Sequence, residues 1–524
     1  MRFIDQAIQE HTFEELNDNI CSQTWEMFTD AVKGKELWIF GLGEGASFFF
    51  EQYGDKFRVS GVLDNDIRKQ GQPACKYISC LEEGAKEVEV LAPTVLQNRL
   101  LDEIIVLITS VRYGADIYSQ LVHMGVPEIF SLFAMEVNAR MGKSMEATEE
   151  SCEMKFAKEC AKLPIERNKI LLARDECGGH GKEILLQLHG MRPELDLVWI
   201  TDRNSAGLPK EIRVIPTSNH REYIRELETA HIWLFGDMIP DFAIKREEQV
   251  YIQIKHWASL TLKKFYMDLP AYLEIPAVRE YYIHNNKAID YMLVGSKFDE
   301  DSCRSGFDFH GECIRVGSPR SDVLFRKDVR SRVLSNLKID ARSHVLLYAP
   351  TFRARDGRTV ASHMREVDLD FFRLRQSLEK RFGGEWQLLL RAHPDVAMES
   401  MGMDLPDYVK NVSFYPDSQE LVVASDVLIS DYSSIMFEPA FIRRPVFRYA
   451  PDMENYIGSE RELLMDYKSL PFPLAKSNDE LEQCVLHFNL YDYKDQLDKM
   501  FSTYGVNEDG RASYRAAVFI LGVL

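Results

Sequence analysis

Short apolar strands that run into a glycine or small polar turn, and then into an amphipathic helix, recur along this chain. That alternation restricts it to an α/β fold built on parallel sheets. The first series lies within residues 35–130: Glu36-Leu-Trp-Ile-Phe40 enters the turn Gly41-Leu-Gly-Glu-Gly-Ala46 and a helix through Phe50. Val59-Ser-Gly-Val-Leu-Asp64 follows, and 104–109 is a later strand. A second series holds candidate strands at 169–173, 196–200, 212–215, 231–235 and 249–256, separated by apolar-periodic helices such as 221–230. A third opens near Asp322 with a helix through Leu337 and continues with candidate strands at 345–348, 387–390, 427–429 and 446–447. Between the first two series, residues 143–162 are polar and acidic and read as a helical linker that lets its neighbours move independently.

The expected division is a Rossmann-like N-terminal domain over 1–150, a second α/β domain over 160–320 and a third over 321–524. In the first, strand, glycine turn, helix, strand and acid follow in the Rossmann order, with Asp64 about 20 residues after the glycines, where a ribose hydroxyl would lie. Gly41, Gly43 and Asp64 are therefore candidates for a nucleotide site. The third glycine comes one residue early for Gly-x-Gly-x-x-Gly, so the turn argues for the fold more than for a ligand.

Charge and composition exclude several classes of function. The net charge of −19 argues against general nucleic-acid binding. Residues 1–160 carry 15 Lys/Arg against 27 Asp/Glu and so hold −12 of that charge. The nine cysteines are scattered with no Cys-x-x-Cys pair, which suits reduced thiols and neither a zinc site nor a disulfide frame. No apolar run approaches 18 residues, and the N-terminus lacks a signal-peptide core. A cytoplasmic protein is expected, resting at most on the inner membrane face.

The candidate chemistry gathers at strand ends. Val427-Leu-Ile-Ser-Asp-Tyr-Ser-Ser-Ile-Met-Phe-Glu438 carries an apolar strand into hydroxyl residues that open a helix, a geometry that aims backbone N–H groups at an anion. Ser433 and Ser434 would offer hydroxyl donors to the phosphates there, Asp431 is a further donor-binding candidate, and Glu438 would reach a ribose. Tyr348-Ala-Pro-Thr-Phe-Arg353, Leu390-Arg-Ala-His-Pro394 and Gly317-Ser-Pro-Arg-Ser-Asp322 place Arg353, Arg391 and Arg320 in neighbouring loops, and Asp509-Gly-Arg-Ala-Ser513 stands near the C-terminus. His256 and His393 each end a candidate strand, one on either side of an expected cleft. No His/Asp/Glu cluster has convincing metal spacing, so no metal and no cofactor is expected.

These motifs, in this order over roughly residues 165–520, resemble the CDP-glycerol glycerophosphotransferase family of teichoic-acid polymerases and their capsule-building relatives. The resemblance implies a GT-B-type pair of doubly wound Rossmann-like domains, acceptor side first and CDP-donor side second, preceded here by the further Rossmann-like α/β domain. It implies transfer of glycerol phosphate or ribitol phosphate from a CDP-activated donor to a polysaccharide or lipid-linked acceptor, with release of CMP. His256 would be the general base and His393 would assist at the pyrophosphate, while Lys263 and Lys264 would supply positive charge in place of a metal. One departure stands out: Lys255-His256-Trp257 replaces the family's Trp-His-Gly, which puts a bulky residue where glycine would admit the acceptor. Two other readings stay open: a GT-B glycosyltransferase using a UDP- or CMP-sugar, and a non-catalytic nucleotide-binding scaffold of polysaccharide assembly.

Overall fold

The structure, a computed structural model, describes residues 23–78, 88–110, 114–141, 152–175, 179–202, 208–217, 219–269, 276–351, 369–392, 400, 405–454 and 462–524. The residues before Glu150 form one compact unit, and those from Glu150 onward form the bulk of a second.

The first unit carries a five-stranded parallel sheet of β1 (Glu36–Phe40), β2 (Val59–Leu63), β3 (Val90–Leu91), β4 (Ile104–Ile108) and β5 (Ile129–Ser131), in the order β3-β2-β1-β4-β5. The strand order reverses at β1, with all four pairings parallel, as in a Rossmann unit. Trp38, Phe40, Val106 and Ile108 share one face and form the core beneath it. Gly41 must be glycine: its φ is +103°, and a Cβ there would lie 2.8 Å from the Ser110 Cβ.

The second unit contains two larger parallel sheets. The seven-stranded one comprises β6 (Glu166–Ala173), β7 (Asp196–Ile200), β8 (Ile212–Ile215), β9 (Ala230–Phe235), β10 (Val250–Gln253), β11 (Tyr291–Val294) and β12 (Glu312–Arg315). Its order is β12-β11-β10-β9-β6-β7-β8. The six-stranded sheet comprises β13 (His344–Ala349), β14 (Trp386–Leu390), β15 (Val409–Asn411), β16 (Val427–Ser430), β17 (Val446–Tyr449) and β18 (Leu474–Ala475), ordered β15-β14-β13-β16-β17-β18. The central strands β9, β13, β14 and β16 are buried almost throughout and read as largely continuous apolar runs.

Several expectations change in detail. The strand expected over 249–256 stops at Gln253, because Lys255 takes up a left-handed conformation (φ 49°) and turns the chain away from the sheet. The helix expected from Asp322 to Leu337 is a 3-10 turn at Pro319–Phe325 followed by the helix Val329–Asn336. The described part of the expected linker is no mobile connection. Helix Cys152–Cys160 packs on helix His220–Thr229, burying Ala157 and Cys160, with Arg221 over the Phe156 ring at 4.3 Å. The last helix, Ala512–Val523, returns to the seven-stranded sheet, where Ala516, Ala517 and Ile520 pack with Ile170, Leu172 and Ile232.

Candidate active site

The segment that follows β10 joins the two larger sheets. After His256 the chain crosses to the second sheet, and Ala258, Leu260 and Leu262 enter the hydrophobic core of the six-stranded sheet with Val323, Leu346 and Leu428. Period-2 alternation turns the intervening side chains to the other face. Lys263 then bridges antiparallel to Leu463, and Lys264 N–H donates to the Glu462 carbonyl while its ammonium pairs with the Glu462 carboxylate. His256 therefore sits where the chain leaves one sheet and begins to pack on the other.

Buried polar contacts fix this segment. Lys255 and Asp299, both almost fully buried, form an ion pair at 2.8 Å, and Lys255 Nζ also donates to the Trp257 carbonyl at 2.9 Å. Asp299 accepts from the Trp257 indole at 2.8 Å and from Gly295 N–H at 2.6 Å. Trp257 is thus turned inward, packed on Phe265 with ring centroids 4.3 Å apart. The bulk feared at this position faces the interior. Two substitutions against the family pattern, Lys255 and Trp257, meet at one carboxylate.

His256 is largely enclosed. Burial holds its imidazole below the ordinary histidine range, the Asp237 carboxylate pulls the other way, and the Arg320 and Lys255 cations reinforce the burial. A ring kept neutral at physiological pH is the form that accepts a proton. Behind it, His180 is buried at the start of helix His180–Met191; its Nε2 contacts the Trp257 carbonyl at 2.9 Å and its Nδ1 accepts from Arg320 N–H at 3.5 Å. Burial, with the Lys255 and Arg320 charges, pushes this imidazole well below the usual range. Sequence reasoning passed over His180, although a histidine flanked by Gly179 and Gly181, seven residues beyond the end of an apolar strand, was the available signal.

The 427–438 segment differs from the expected anion site. β16 leads into a 3-10 turn, Ser434–Met436, and a helix of only five residues, Phe437–Phe441, so the expected helix end is short. The Ser433 hydroxyl caps the turn by accepting from Ile435 N–H at 3.4 Å. The Ser434 hydroxyl accepts from Leu262 N–H at 3.1 Å, which ties the turn to the extended segment after His256. Asp431 accepts from Thr351 N–H (2.9 Å) and its hydroxyl (2.6 Å), joining the ends of β13 and β16. Arg391 donates to the Tyr415 carbonyl at 2.7 Å. Glu438 is buried and ion-paired with Arg320 at 2.7 Å; its other oxygen lies beside Gln419 and makes no hydrogen bond of ordinary length. His393 and Arg353 lie outside the described residues.

The candidate residues of the first unit are self-satisfied. One Asp64 oxygen accepts from Leu42 N–H (2.8 Å) and Lys69 (3.0 Å), the other from Asp66 N–H (2.8 Å), and Lys69 also reaches the Leu42 carbonyl at 2.7 Å. Gly43 begins helix Glu44–Tyr53 without a side-chain cap. Asp64 thus braces the glycine turn, and a ribose would have to displace Lys69. Among the described residues no group of three or more His, Cys, Asp or Glu is placed to hold a metal ion, and no helix is long and apolar enough to cross a membrane.

Comparison with known proteins gives the site its context. A family model described as CDP-Glycerol:Poly(glycerophosphate) glycerophosphotransferase matches residues 156–522. The chain is 26% identical over 369 residues to a teichoic acid poly(glycerol phosphate) polymerase of Bacillus subtilis (strain 168), covering 67% of this chain and 48% of that protein. It thus spans about half the length of that relative. It is 28% identical over 386 residues to a teichoic acid ribitol-phosphate primase of Bacillus spizizenii, covering 70% of this chain and 93% of that one. A solved structure of the wall teichoic acid polymerase TagF superposes with a TM-score of 0.60 at 23% identity, over 71% of this chain and 94% of that one. That likeness identifies the two larger sheets as a GT-B-type pair.

Proposed function

The chain belongs to the CDP-glycerol:poly(glycerophosphate) glycerophosphotransferase family, and from that premise we propose that it transfers glycerol phosphate or ribitol phosphate from a CDP-activated donor to a teichoic-acid-like or other surface-polysaccharide acceptor. The observation that carries this reading is the place of His256, just beyond the end of β10 on the segment that joins the two sheets, with its backbone carbonyl held by Arg320. In the proposed step an acceptor hydroxyl attacks the β-phosphorus of the donor as its proton passes to the His256 ring. The new O–P bond forms as the bond to CMP breaks, and CMP leaves. Arg391, Lys263 and Lys264 serve as the source of positive charge, and His393 serves the pyrophosphate. Such a reaction is catalysed chiefly by positioning and charge stabilisation, and needs no covalent intermediate.

The acceptor is proposed to be displayed on a polysaccharide or a lipid carrier. With a net charge of −19, attraction to an anionic membrane would have to come from a local basic or apolar patch. The experiment that tests the donor assignment is thermal unfolding with CDP-glycerol, CDP-ribitol, CDP and UDP-sugars. A ligand at a hundred times its Kd stabilises the folded chain by about 2.7 kcal/mol. The CDP compounds should raise the melting temperature and the UDP-sugars should not; the reverse order would favour the sugar-transferase reading.

A further inference from the structure

Arg320 makes contacts that join His180, the His256 backbone and Glu438. Its side chain is largely buried, with 11% of its surface exposed, and its guanidinium makes two directed bonds: Nη2 to Glu438 Oε1 at 2.7 Å and Nη1 to the His256 carbonyl at 2.7 Å. Its own backbone N–H donates to His180 Nδ1, and His180 in turn contacts the carbonyl of Trp257. The residues on either side of Arg320 are held as firmly. Ser318 N–H donates to Glu508 at 3.1 Å, and Asp322 caps the last helix. The loop cannot swing to a ligand without breaking these bonds.

A guanidinium whose two terminal nitrogens are both engaged within the protein is poorly placed to clamp a phosphate. It is well placed to transmit position, because a planar fork fixes the distance and angle between its two partners. The pair it makes with Glu438 is buried and short, so removing one partner leaves an uncompensated charge in a dry site.

We propose that Arg320 is a positioning residue for the transfer reaction: it holds the Glu438 carboxylate, expected at the donor ribose, in register with the backbone of His256, the proposed base. This rests on the functional reading above. Through the fork, a change at Glu438 is felt at His256, with which Glu438 shares no hydrogen bond or ion pair. Donor seating and base placement become one arrangement. The role differs from direct contact with the donor, for which a motif loop beside the expected anion site makes Arg320 a candidate.

The test uses the full chain with two variants, Arg320→Lys and Glu438→Gln. The lysine keeps the charge but lacks the fork. The glutamine keeps the shape but lacks the charge. Turnover of CDP-glycerol is measured together with CDP affinity, and the His256 ring is titrated by NMR in ligand-free protein. Both variants are expected to lower kcat by up to about 10²-fold, as for a base displaced by about 1 Å. Arg320→Lys should leave CDP affinity nearly unchanged, and both variants should move the His256 titration from its wild-type midpoint. Loss of CDP affinity in Arg320→Lys with an unmoved His256 titration would overturn the proposal and make Arg320 a phosphate ligand. An unmoved titration with unchanged kcat would overturn it too. If the wild-type chain turns over no CDP-alditol, the functional reading fails separately, and the His256 titration still decides whether Arg320 couples the two residues.

Discussion

Asp322 caps the final helix of the chain through Ser513, 191 residues away: its carboxylate accepts from Ser513 N–H at 2.7 Å and Oγ at 2.5 Å, and from Ala512 N–H at 2.9 Å. Two sequence motifs, Gly317–Asp322 and Asp509–Ser513, are therefore the two halves of one joint. The capped helix then packs on the seven-stranded sheet, so the joint anchors the C-terminus to the module that bears His256.

Asp322→Ala should destabilise the chain by about 1–3 kcal/mol, since it removes a helix cap and leaves buried N–H donors without an acceptor. Asp322→Asn retains one acceptor oxygen and should cost less. Thermal or urea unfolding of the two variants checks the order. Equal, negligible losses would mean that the cap contributes nothing.

Beside this joint, Glu508 predicts an unusual pH dependence. It accepts from the Ser259 hydroxyl and from Ser318 N–H, with Asp322 and Arg515 as the charged groups facing it. Burial raises its carboxyl from the ordinary 4.5 to about 7. Between those values the folded chain keeps a proton that the unfolded chain has released. Its contribution is therefore complete below pH 4.5 and falls as pH rises through about 7. His180 acts in the opposite sense: its lowered value favours the folded state above the ordinary 6.5 and works against it as pH falls below that. The difference between wild type and Glu508→Gln isolates the carboxyl. The variant should gain stability relative to wild type between pH 5 and pH 8, by on the order of 1–3 kcal/mol, and unfolding midpoints across that range would show a flat difference if Glu508 titrates normally.

Much of the fold was legible because long apolar strands at 36–40, 169–173, 196–200, 387–390 and 427–429 alternate with amphipathic helices. Short strands carried too little periodicity to be seen: β3 and β18 have two residues each, and β12 is polar at both ends. The site was legible as residues and less so as contacts. His256, Arg320, Ser434 and Glu438 were all named, but nothing local in the sequence says that Arg320 meets Glu438 or that Ser434 meets Leu262. Those pairings depend on how two sheets distant in sequence are joined. Glu508 carried no signal of its own, because its environment is made by Ser259 and Ser318.

The helix Cys152–Cys160 gives a sharp test of where the second unit begins. A truncated chain starting at Glu150 keeps that helix and its packing on His220–Thr229, and should fold with a stability close to that of the intact second unit. A chain starting at Leu163 loses buried Ala157 and Cys160, the Phe156–Arg221 contact and the bond from Arg246 to the Ala161 carbonyl. It should melt several degrees lower, by roughly 2–3 kcal/mol for the apolar area exposed. Identical melting curves for the two would show that the helix is dispensable.

The most direct test of the account is CMP release from CDP-glycerol or CDP-ribitol in the presence of a teichoic-acid acceptor, measured for wild type and His256→Ala side by side. The account predicts acceptor-dependent CMP release by wild type, and a fall of about 10²–10⁴-fold in the variant with CDP affinity nearly unchanged. CMP release at the wild-type rate by His256→Ala would contradict the assignment of the base, and release of a uridine nucleotide from a UDP-sugar with none from either CDP-alditol would contradict the proposed reaction itself.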